Sequence, residues 1–275
     1  MKTSWLNNKT VIITGASSGI GREITLSLIR DYNCNVVGVA RSELKMAALI
    51  EELGDLSGKF SYRLFDVAQN KNWESFAKYL EESSIKPDIL INDAGILPRF
   101  ARFEKYTIEE AENAMKINFF SCVYAVHSML PIIMRSKSPA IINVDSSAAL
   151  MSLAGTSMYS ASKAALKAFT EALREECRGK CYVAIICPGF TKTSIFRNQN
   201  KEGADKAFEM IATPCDKMVK KIMRGIKSKR RLMVFGKDAI LMNYFGRLMP
   251  VKGSKLFSKA MEISKLPLFD DIFKE

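Results

Sequence analysis

Short apolar runs rich in β-branched residues recur along the chain, and more polar segments of helical length separate them. The runs are continuous rather than alternating, which is typical of parallel strands that are buried on both faces of a sheet. Seven such runs predict strands: TVIIT (10–14), NVVGVA (35–40), FSYRLF (60–65), DILIN (88–92), AIINV (140–144), YVAIIC (182–187) and RLMVF (231–235).

The intervening segments predict helices at 19–32, 42–54, 70–84, 107–136, 157–179 and 203–228. Because strand and helix alternate strictly, the pattern predicts an α/β fold: a doubly wound, seven-stranded parallel sheet flanked by helices. We expect one domain over residues 1–236. Residues 237–275 fall outside the alternation, and they predict a basic C-terminal extension rather than a second domain.

The composition is that of a soluble globular protein, with 275 residues of which 48% are apolar and 25% are charged. The net charge of +12 is uneven, because residues 216–275 carry 15 Lys and Arg against 6 Asp and Glu. Eight cations and no acid lie between Lys217 and Arg231. This block either binds an anionic partner or forms the solvated face of a helix, and we favour the helix face.

Processing signals, disulfides and metal sites are not indicated. The chain runs from MKTSWLNN directly into a strand, and no apolar run is long enough to span a bilayer. The six cysteines form no CxxC pair, which favours reduced thiols in a cytoplasmic protein. The only histidine, His127, lies in an apolar helical run and is expected to pack there, which argues against a histidine-dependent triad or metal site.

A glycine-rich segment, TGASSGIGRE, follows the first strand and contains Gly15, Gly19 and Gly21. Glycines at this place allow a tight turn whose backbone N–H groups approach a pyrophosphate. At the end of the second strand, where an NAD site usually has an acid for the ribose 2′-OH, an alanine precedes Arg41 and Ser42. A guanidinium beside a hydroxyl suits a 2′-phosphate, so we expect NADP(H).

The segment YSASK places Tyr159 and Lys163 four residues apart, on the same face of a helix. A tyrosine is a poor base at neutral pH, and a lysine fixed beside it stabilises the phenolate form. Such a pair serves acid–base catalysis, although pairs with this spacing also occur on many solvated helices. The pair alone leaves both interpretations open.

Several motifs together favour catalysis. Over residues 8–236 the chain resembles the short-chain dehydrogenase/reductase family, with NADP(H)-preferring hydroxysteroid dehydrogenases and carbonyl reductases as the nearest type. The resemblance implies a Rossmann-type fold and an oxidoreductase that interconverts a ketone and a secondary alcohol. It rests on TGASSGIG (14–21), DV (66–67), NDAG (92–95), KINFF around Asn118, NVDSS (143–147), YSASK (159–163) and PG (188–189), which follow the family's order.

The resemblance implies four catalytic residues. Tyr159 would exchange a proton with the substrate oxygen, while Lys163 would stabilise its phenolate and hold the nicotinamide ribose. Ser146 would hydrogen-bond the substrate oxygen, and the family's spacing of thirteen positions before the tyrosine selects it over Ser147. Asn118 would hold a water molecule that relays protons towards Lys163.

The resemblance also implies cofactor contacts, with Asp66 at the adenine and the segment 188–193 at the carboxamide. The family commonly has Asn where this chain has Asp93, so a side-chain contact there is in doubt, whereas a backbone contact survives. No metal is expected. The implied NADP(H)-binding residues are Gly15, Ser17, Ser18, Gly19, Ile20, Gly21, Arg41, Ser42, Asp66, Val67, Asn92, Asp93, Ala94, Gly95, Tyr159, Lys163, Pro188, Gly189, Thr191 and Thr193.

The loops expected over the nicotinamide are mainly apolar, which favours a hydrophobic ketone or alcohol such as a steroid or fatty-acyl derivative. Two alternatives stay open: a 3-oxoacyl-carrier-protein reductase that docks an acidic carrier on the basic block, and a non-catalytic NADP-sensing protein. The apolar side chains expected in the pocket are Leu97, Leu150, Met151, Met158, Phe190 and Phe196.

The extension 237–275 is expected to form a lid over the pocket or a subunit interface. A peripheral membrane contact is possible but not favoured, because Gly246, Pro250, Gly253 and Pro267 interrupt a long amphipathic face. We also expect a homodimer or homotetramer and no nucleic-acid partner.

Overall fold

The computed structural model describes residues 4–195 and 212–274. Within these ranges, seven strands form one parallel sheet, as predicted, and two shorter strands pair with each other. The sheet contains Thr10–Thr14 (β1), Asn35–Ala40 (β2), Phe60–Leu64 (β3), Ile89–Asn92 (β4), Ala140–Val144 (β5), Tyr182–Pro188 (β6) and Leu232–Phe235 (β9). The short pair is Thr191–Lys192 (β7) with Thr213–Pro214 (β8).

The helices of the described residues follow the predicted alternation. Part of the predicted helix 203–228 lies outside these residues, and its described part begins after β8. The helices are Gly19–Tyr32 (α1), Glu43–Leu53 (α2), Asn70–Glu82 (α3), Ile108–Met115 (α4), Ser121–Ile133 (α5), Ser157–Glu176 (α6), Cys215–Lys227 (α7), Lys237–Leu248 (α8), Pro250–Ser264 (α9) and Asp270–Phe273 (α10).

The strand order is β3-β2-β1-β4-β5-β6-β9, and it reverses direction between β1 and β4. Helices α1, α2 and α7 cover one face of the sheet, and α3, α5 and α6 cover the other, so both faces are buried. In a doubly wound sheet, ligands bind beyond the carboxyl ends of the strands at such a reversal. The topology therefore fixes where a site must lie.

Helices α4 and α5 are joined by a π-helical turn, Lys116–Phe120, and form one stretch from Ile108 to Ile133. Among the described residues this is the single stretch long and apolar enough to cross a membrane by length and composition alone. It packs on the sheet instead, with Ala125 and Met129 fully buried. His127 lies on the opposite side of α5 and is exposed, so the expectation that it packs was wrong.

The basic block lies on α7 and the turn that follows it. Met218, Ile222 and Ile226 face the sheet and are fully buried, whereas the lysines and arginine of the helix lie on its exposed side. The block therefore lies on the solvated face of a helix, as favoured, and binding to an anionic partner stays an open alternative.

Helices α8 and α9 form a hairpin, in which the rings of Phe245 and Phe257 meet edge to face at 6.0 Å. The two glycines expected to interrupt these helices lie inside them. A Cβ on Gly253 would come within 2.8 Å of the Phe245 Cβ, and one on Gly246 would overlap the Leu150 carbonyl oxygen. The glycines therefore permit close packing rather than breaking the helices.

Candidate active site

A cleft of about 470 Å³ lies beyond the carboxyl ends of β1, β4, β5 and β6. It extends from the glycine-rich turn after β1 to the first turns of α6. Fifteen of the predicted site residues line it: Gly15, Ser18, Gly19, Ile20, Arg41, Asp93, Ala94, Gly95, Ser146, Tyr159, Lys163, Pro188, Gly189, Thr191 and Thr193.

The other predicted residues do not line this cleft. The Asn92 amide is turned into the sheet, where it donates a hydrogen bond to Asn143 Oδ1 at 2.9 Å. A carboxylate oxygen of Asp66 accepts from the Ala68 N–H at 3.0 Å. The predicted site residues that do not line the cleft are Ser17, Gly21, Ser42, Asp66, Val67, Asn92 and Asn118.

The glycine-rich turn requires its glycines. Gly15 and Gly19 have φ angles of +72° and +57°, which side chains rarely adopt. A Cβ on Gly21 would lie 2.6 Å from the Gly15 carbonyl oxygen and 2.6 Å from a carboxylate oxygen of Asp93. The turn therefore packs directly against the loop after β4, and Asp93 is part of that contact.

The family commonly has Asn at the position of Asp93. The groups around Asp93 can accommodate a carboxyl group there. The Asp93 carboxyl group lies beside the backbone N–H of Gly21, which favours the ionised form, and Thr14 Oγ1 accepts from the backbone N–H of Asp93 at 3.0 Å. Burial raises the pKa of Asp93 to about 8, although Lys163 opposes the shift. The side chain thus lies in contact with both the glycine-rich turn and the end of β4.

Two cations stand at the nucleotide end of the cleft. Arg41 follows β2, and Lys45 lies four residues further on in the first turn of α2. Neither forms an ion pair with the residues that the structure describes, so both are available to an anionic ligand. Lys45 was not among the predicted residues, although its i+4 spacing from Arg41 was a usable signal.

Lys163 and Tyr159 project from α6 into the other end of the cleft. Lys163 is buried, and its Nζ donates a hydrogen bond to the Val144 carbonyl at 3.1 Å. Ser146 is held at the end of β5, because its Oγ accepts from the Ala148 N–H at 3.1 Å. The phenol, the ammonium group and the hydroxyl therefore share one wall.

Asn118 lies in the π-helical turn and is fully buried. Its Nδ2 donates to the Ile96 carbonyl and to Ser162 Oγ, both at 3.0 Å, and its Oδ1 accepts from the Ile96 N–H at 2.8 Å. A Cβ on Gly95 would lie 3.2 Å from Asn118 Oδ1 and 3.7 Å from Lys163 Nζ. Asn118 thus ties the loop after β4 to α6 beside the lysine.

The surroundings of Lys163 contain a carboxyl group that sequence reasoning missed. Asp145 directly precedes Ser146 and is buried, and neither of its carboxyl oxygens has a hydrogen-bond partner among the described residues. Burial raises the pKa of Asp145 to about 8, against the opposing effect of Lys163. Burial lowers the pKa of Lys163, but Tyr159, Asp145 and other acidic groups outweigh it, so the net shift is upward.

Residues 9–204 match the family model of the short chain dehydrogenases. The chain belongs to the short chain dehydrogenase family. It is 34% identical to 11-beta-hydroxysteroid dehydrogenase-like 2 of Arabidopsis thaliana over 226 residues, which cover 80% of this chain and 71% of that one. It is 28% identical to the ketoacyl reductase HetN of Nostoc over 259 residues, or 92% of this chain and 89% of that one.

The fold agrees with this membership. The crystal structure of a short chain dehydrogenase from Shigella flexneri complexed with NADP matches with a TM-score of 0.74 at 22% identity. The match covers 84% of this chain and 97% of that chain. This similarity shows that the two chains share the same overall fold.

The wall beside Tyr159 in this short chain dehydrogenase is mainly apolar. Of the predicted pocket residues, Leu97 and Phe190 line the cleft, and Phe196 lies outside the described residues. Met151 is instead buried beneath α8 and α9, and Met158 faces a separate shallow depression on the surface. Leu150 is absent from the cleft wall. Apolar side chains that line this end are Ile96, Leu97, Phe100, Ala148, Leu153, Phe190, Ile195 and Met242.

Proposed function

We propose that this short chain dehydrogenase is an NADP(H)-dependent oxidoreductase that interconverts a hydrophobic ketone and its secondary alcohol. One observation carries the proposal: a single cleft joins the cations Arg41 and Lys45 to Ser146, Tyr159 and Lys163, with an apolar wall beside the tyrosine. The complex of the Shigella relative with NADP supports the choice of cofactor.

The nucleotide end of the cleft suits NADP(H). The glycine-rich turn leaves room for a pyrophosphate at the start of α1, since a side chain at Gly15 or Gly19 would be strained. Arg41 and Lys45 would hold the 2′-phosphate, because two unpaired cations favour a dianion. The cofactor, when bound, supplies the hydride.

At the other end, Tyr159 would donate its phenolic proton to the carbonyl oxygen during reduction and recover it during oxidation. The carbonyl carbon gains a hydride and the oxygen gains this proton, so the product is the secondary alcohol. Ser146 Oγ would donate a hydrogen bond to the substrate oxygen, and the Lys163 ammonium group would stabilise the phenolate. Proton transfer by a positioned group contributes about 10²- to 10⁴-fold in rate.

The C-terminal helices are proposed to cover the substrate end. Met242 of α8 lines the cleft, and Phe269 and Ile272 pack against Leu97 and Phe100. An apolar enclosure of this kind excludes water from the reacting carbonyl and favours a steroid-like or fatty-acyl ketone over a sugar.

The alternative is reduction of a 3-oxoacyl group on an acidic carrier protein. The exposed cations of α7 favour it, because Lys217, Lys221 and Arg224 form no ion pair with described residues. The Nostoc relative is a ketoacyl reductase.

One experiment separates these possibilities. Free hydrophobic ketones and carrier-bound 3-oxoacyl substrates are offered in turn, and oxidation of NADPH is followed by its absorbance. The proposal predicts turnover of free ketones. Turnover of carrier-bound substrates alone would favour the carrier alternative, and NADPH binding without turnover of either would favour a non-catalytic sensing role.

A further inference from the structure

The hairpin of α8 and α9 has an inner face that covers the active-site loops. Ala239 and Met242 of α8 and Met261 of α9 are buried on this side. The hydroxyl of Ser254 donates a hydrogen bond to the Ser152 carbonyl at 3.2 Å, which fixes α9 to the loop after β5. The hairpin therefore has a defined orientation on the body of the protein.

The outer face of the hairpin is unusually apolar for a surface. Of the 14 large apolar side chains that are exposed among the described residues, 8 lie within residues 240–263. On α8, exposed residues recur at helical spacing, so they form one row along the helix. The eight residues are Ile240, Leu241, Tyr244, Leu248, Met249, Val251, Leu256 and Ile263.

Six cations accompany this apolar face, and all six are exposed. None of them forms an ion pair with a carboxylate of the described residues. Asp238 is directed inward, where it accepts a hydrogen bond from the Phe190 N–H at 2.7 Å. Glu262 is the remaining acid of α8 and α9, and it is exposed. The cations are Lys237, Arg247, Lys252, Lys255, Lys259 and Lys265.

We propose that the outer face of the α8–α9 hairpin lies on an anionic lipid surface. The apolar row would enter the interface, while the lysine stems extend along it and place their ammonium groups at the headgroups. Unpaired cations are complementary to anionic lipid. A second copy bound by a two-fold axis would bring the same cations against each other, which argues against that occupant.

The arrangement differs from a continuous amphipathic helix, and this explains why the sequence pattern did not favour a membrane contact. Two short helices share the face. Gly253 lets α9 pack against Phe245 of α8, and Gly246 lets α8 approach the Leu150 carbonyl, so the separate apolar residues come together. The same hairpin carries Met242 on its inner side, at the cleft. A lipid-bound hairpin would therefore hold the substrate end of the enzyme close to the bilayer.

Vesicle flotation of the full-length protein tests this proposal without any assay of turnover, so its failure is separate from failure of the proposed function. The vesicles contain phosphatidylcholine alone, or phosphatidylcholine mixed equally with phosphatidylglycerol. We expect binding to the mixed vesicles, weak binding to phosphatidylcholine alone, and release at high salt.

Matched variants locate the surface. Leu248→Ser/Leu256→Ser changes side chains that are 62% and 54% exposed, and Leu44→Ser/Leu64→Ser changes leucines outside the hairpin that are 86% and 41% exposed. We expect the hairpin variant to lose about tenfold or more in affinity for mixed vesicles, and the control to bind like the wild type. Lys252→Gln/Lys255→Gln/Lys259→Gln should also weaken this binding. Thermal unfolding checks that each variant is folded.

The proposal is overturned if the wild type does not bind mixed vesicles, or if both leucine pairs weaken binding equally. It is also overturned if the hairpin variant leaves flotation unchanged but reduces the size of the assembly in analytical ultracentrifugation. That result would assign the face to contact between copies of the chain.

Discussion

The Asn118 amide donates a hydrogen bond to the Ser162 hydroxyl at 3.0 Å and thereby joins the π-helical turn to the helix that carries Tyr159 and Lys163. The same amide group binds both backbone groups of Ile96. One fully buried side chain thus fixes the loop after β4 against α6. This makes Asn118 a positioning residue for the active site, whatever its part in proton relay.

Asn118→Ala should therefore lower both stability and turnover. It leaves the Ile96 N–H and carbonyl without their partner, which costs about 2–4 kcal/mol in the free energy of unfolding. Urea unfolding measures the loss. Asn72→Ala is the control, because the half-buried Asn72 makes one hydrogen bond, to the Asp66 carbonyl, and should cost about 1 kcal/mol. Equal costs in the two variants would contradict the structural role of Asn118.

Arg41→Ala and Lys45→Ala should each weaken the binding of NADPH much more than the binding of NADH, because NADPH alone carries the 2′-phosphate. A charge-assisted contact of about 1.5–3 kcal/mol corresponds to about ten- to hundredfold in affinity. Fluorescence titration with both cofactors measures the ratio. Arg178→Ala, at an exposed position away from the cleft, is the control. Parallel weakening of NADPH and NADH would show that these cations do not bind the phosphate.

Asp145 should make stability depend on pH. Because burial raises its pKa from 3.8 to about 8, the folded protein holds this proton more tightly than the unfolded chain. The contribution of this proton to the free energy of unfolding is fully present below pH 3.8 and is lost as the pH rises to about 8. Asp145→Asn keeps the shape of the side chain without its ionisation, so its free energy of unfolding should fall less over this interval than that of the wild type.

Urea unfolding at a series of pH values measures the slopes, and Asp55→Asn, at an exposed position, is the control. A slope in Asp145→Asn equal to that of the wild type would show that Asp145 is not held in its protonated form.

A change in the hairpin of α8 and α9 should affect the binding of substrate more than the binding of cofactor. A Cβ on Gly246 would overlap the Leu150 carbonyl oxygen, so Gly246→Ala must displace α8 from the active-site loop. We expect a raised KM for the ketone with an unchanged Kd for NADPH. Gly58→Ala is the control, because nothing lies within 4 Å of the added Cβ. A wild-type KM in Gly246→Ala would contradict the role of the hairpin as a lid.

The sheet could be predicted from the sequence because its strands are buried on both faces. The runs predicted at 10–14, 35–40 and 140–144 coincide with β1, β2 and β5. The sequence also identified most of the cleft wall, since its motifs fall at the carboxyl ends of these strands. Local pattern and tertiary position agree at such places.

The features that were missed depend on tertiary contacts. The π-helical turn at Asn118 keeps the apolar pattern of the surrounding helices, so periodicity does not reveal it. Leu248 and Leu256 are exposed because the opposite sides of α8 and α9 are bound to the active-site loops, and apolar pattern alone would bury them. The oligomeric state stays a prediction.

The proposed function depends most on Tyr159, which would transfer the proton that completes carbonyl reduction. The most direct test measures NADPH oxidation with a hydrophobic ketone by the wild type and by Tyr159→Phe, together with NADPH affinity. In Tyr159→Phe we expect a fall of about 10²- to 10⁴-fold in kcat with nearly unchanged NADPH binding, because the phenyl ring fills the same space without a proton to donate. A near-normal kcat in Tyr159→Phe would contradict this role.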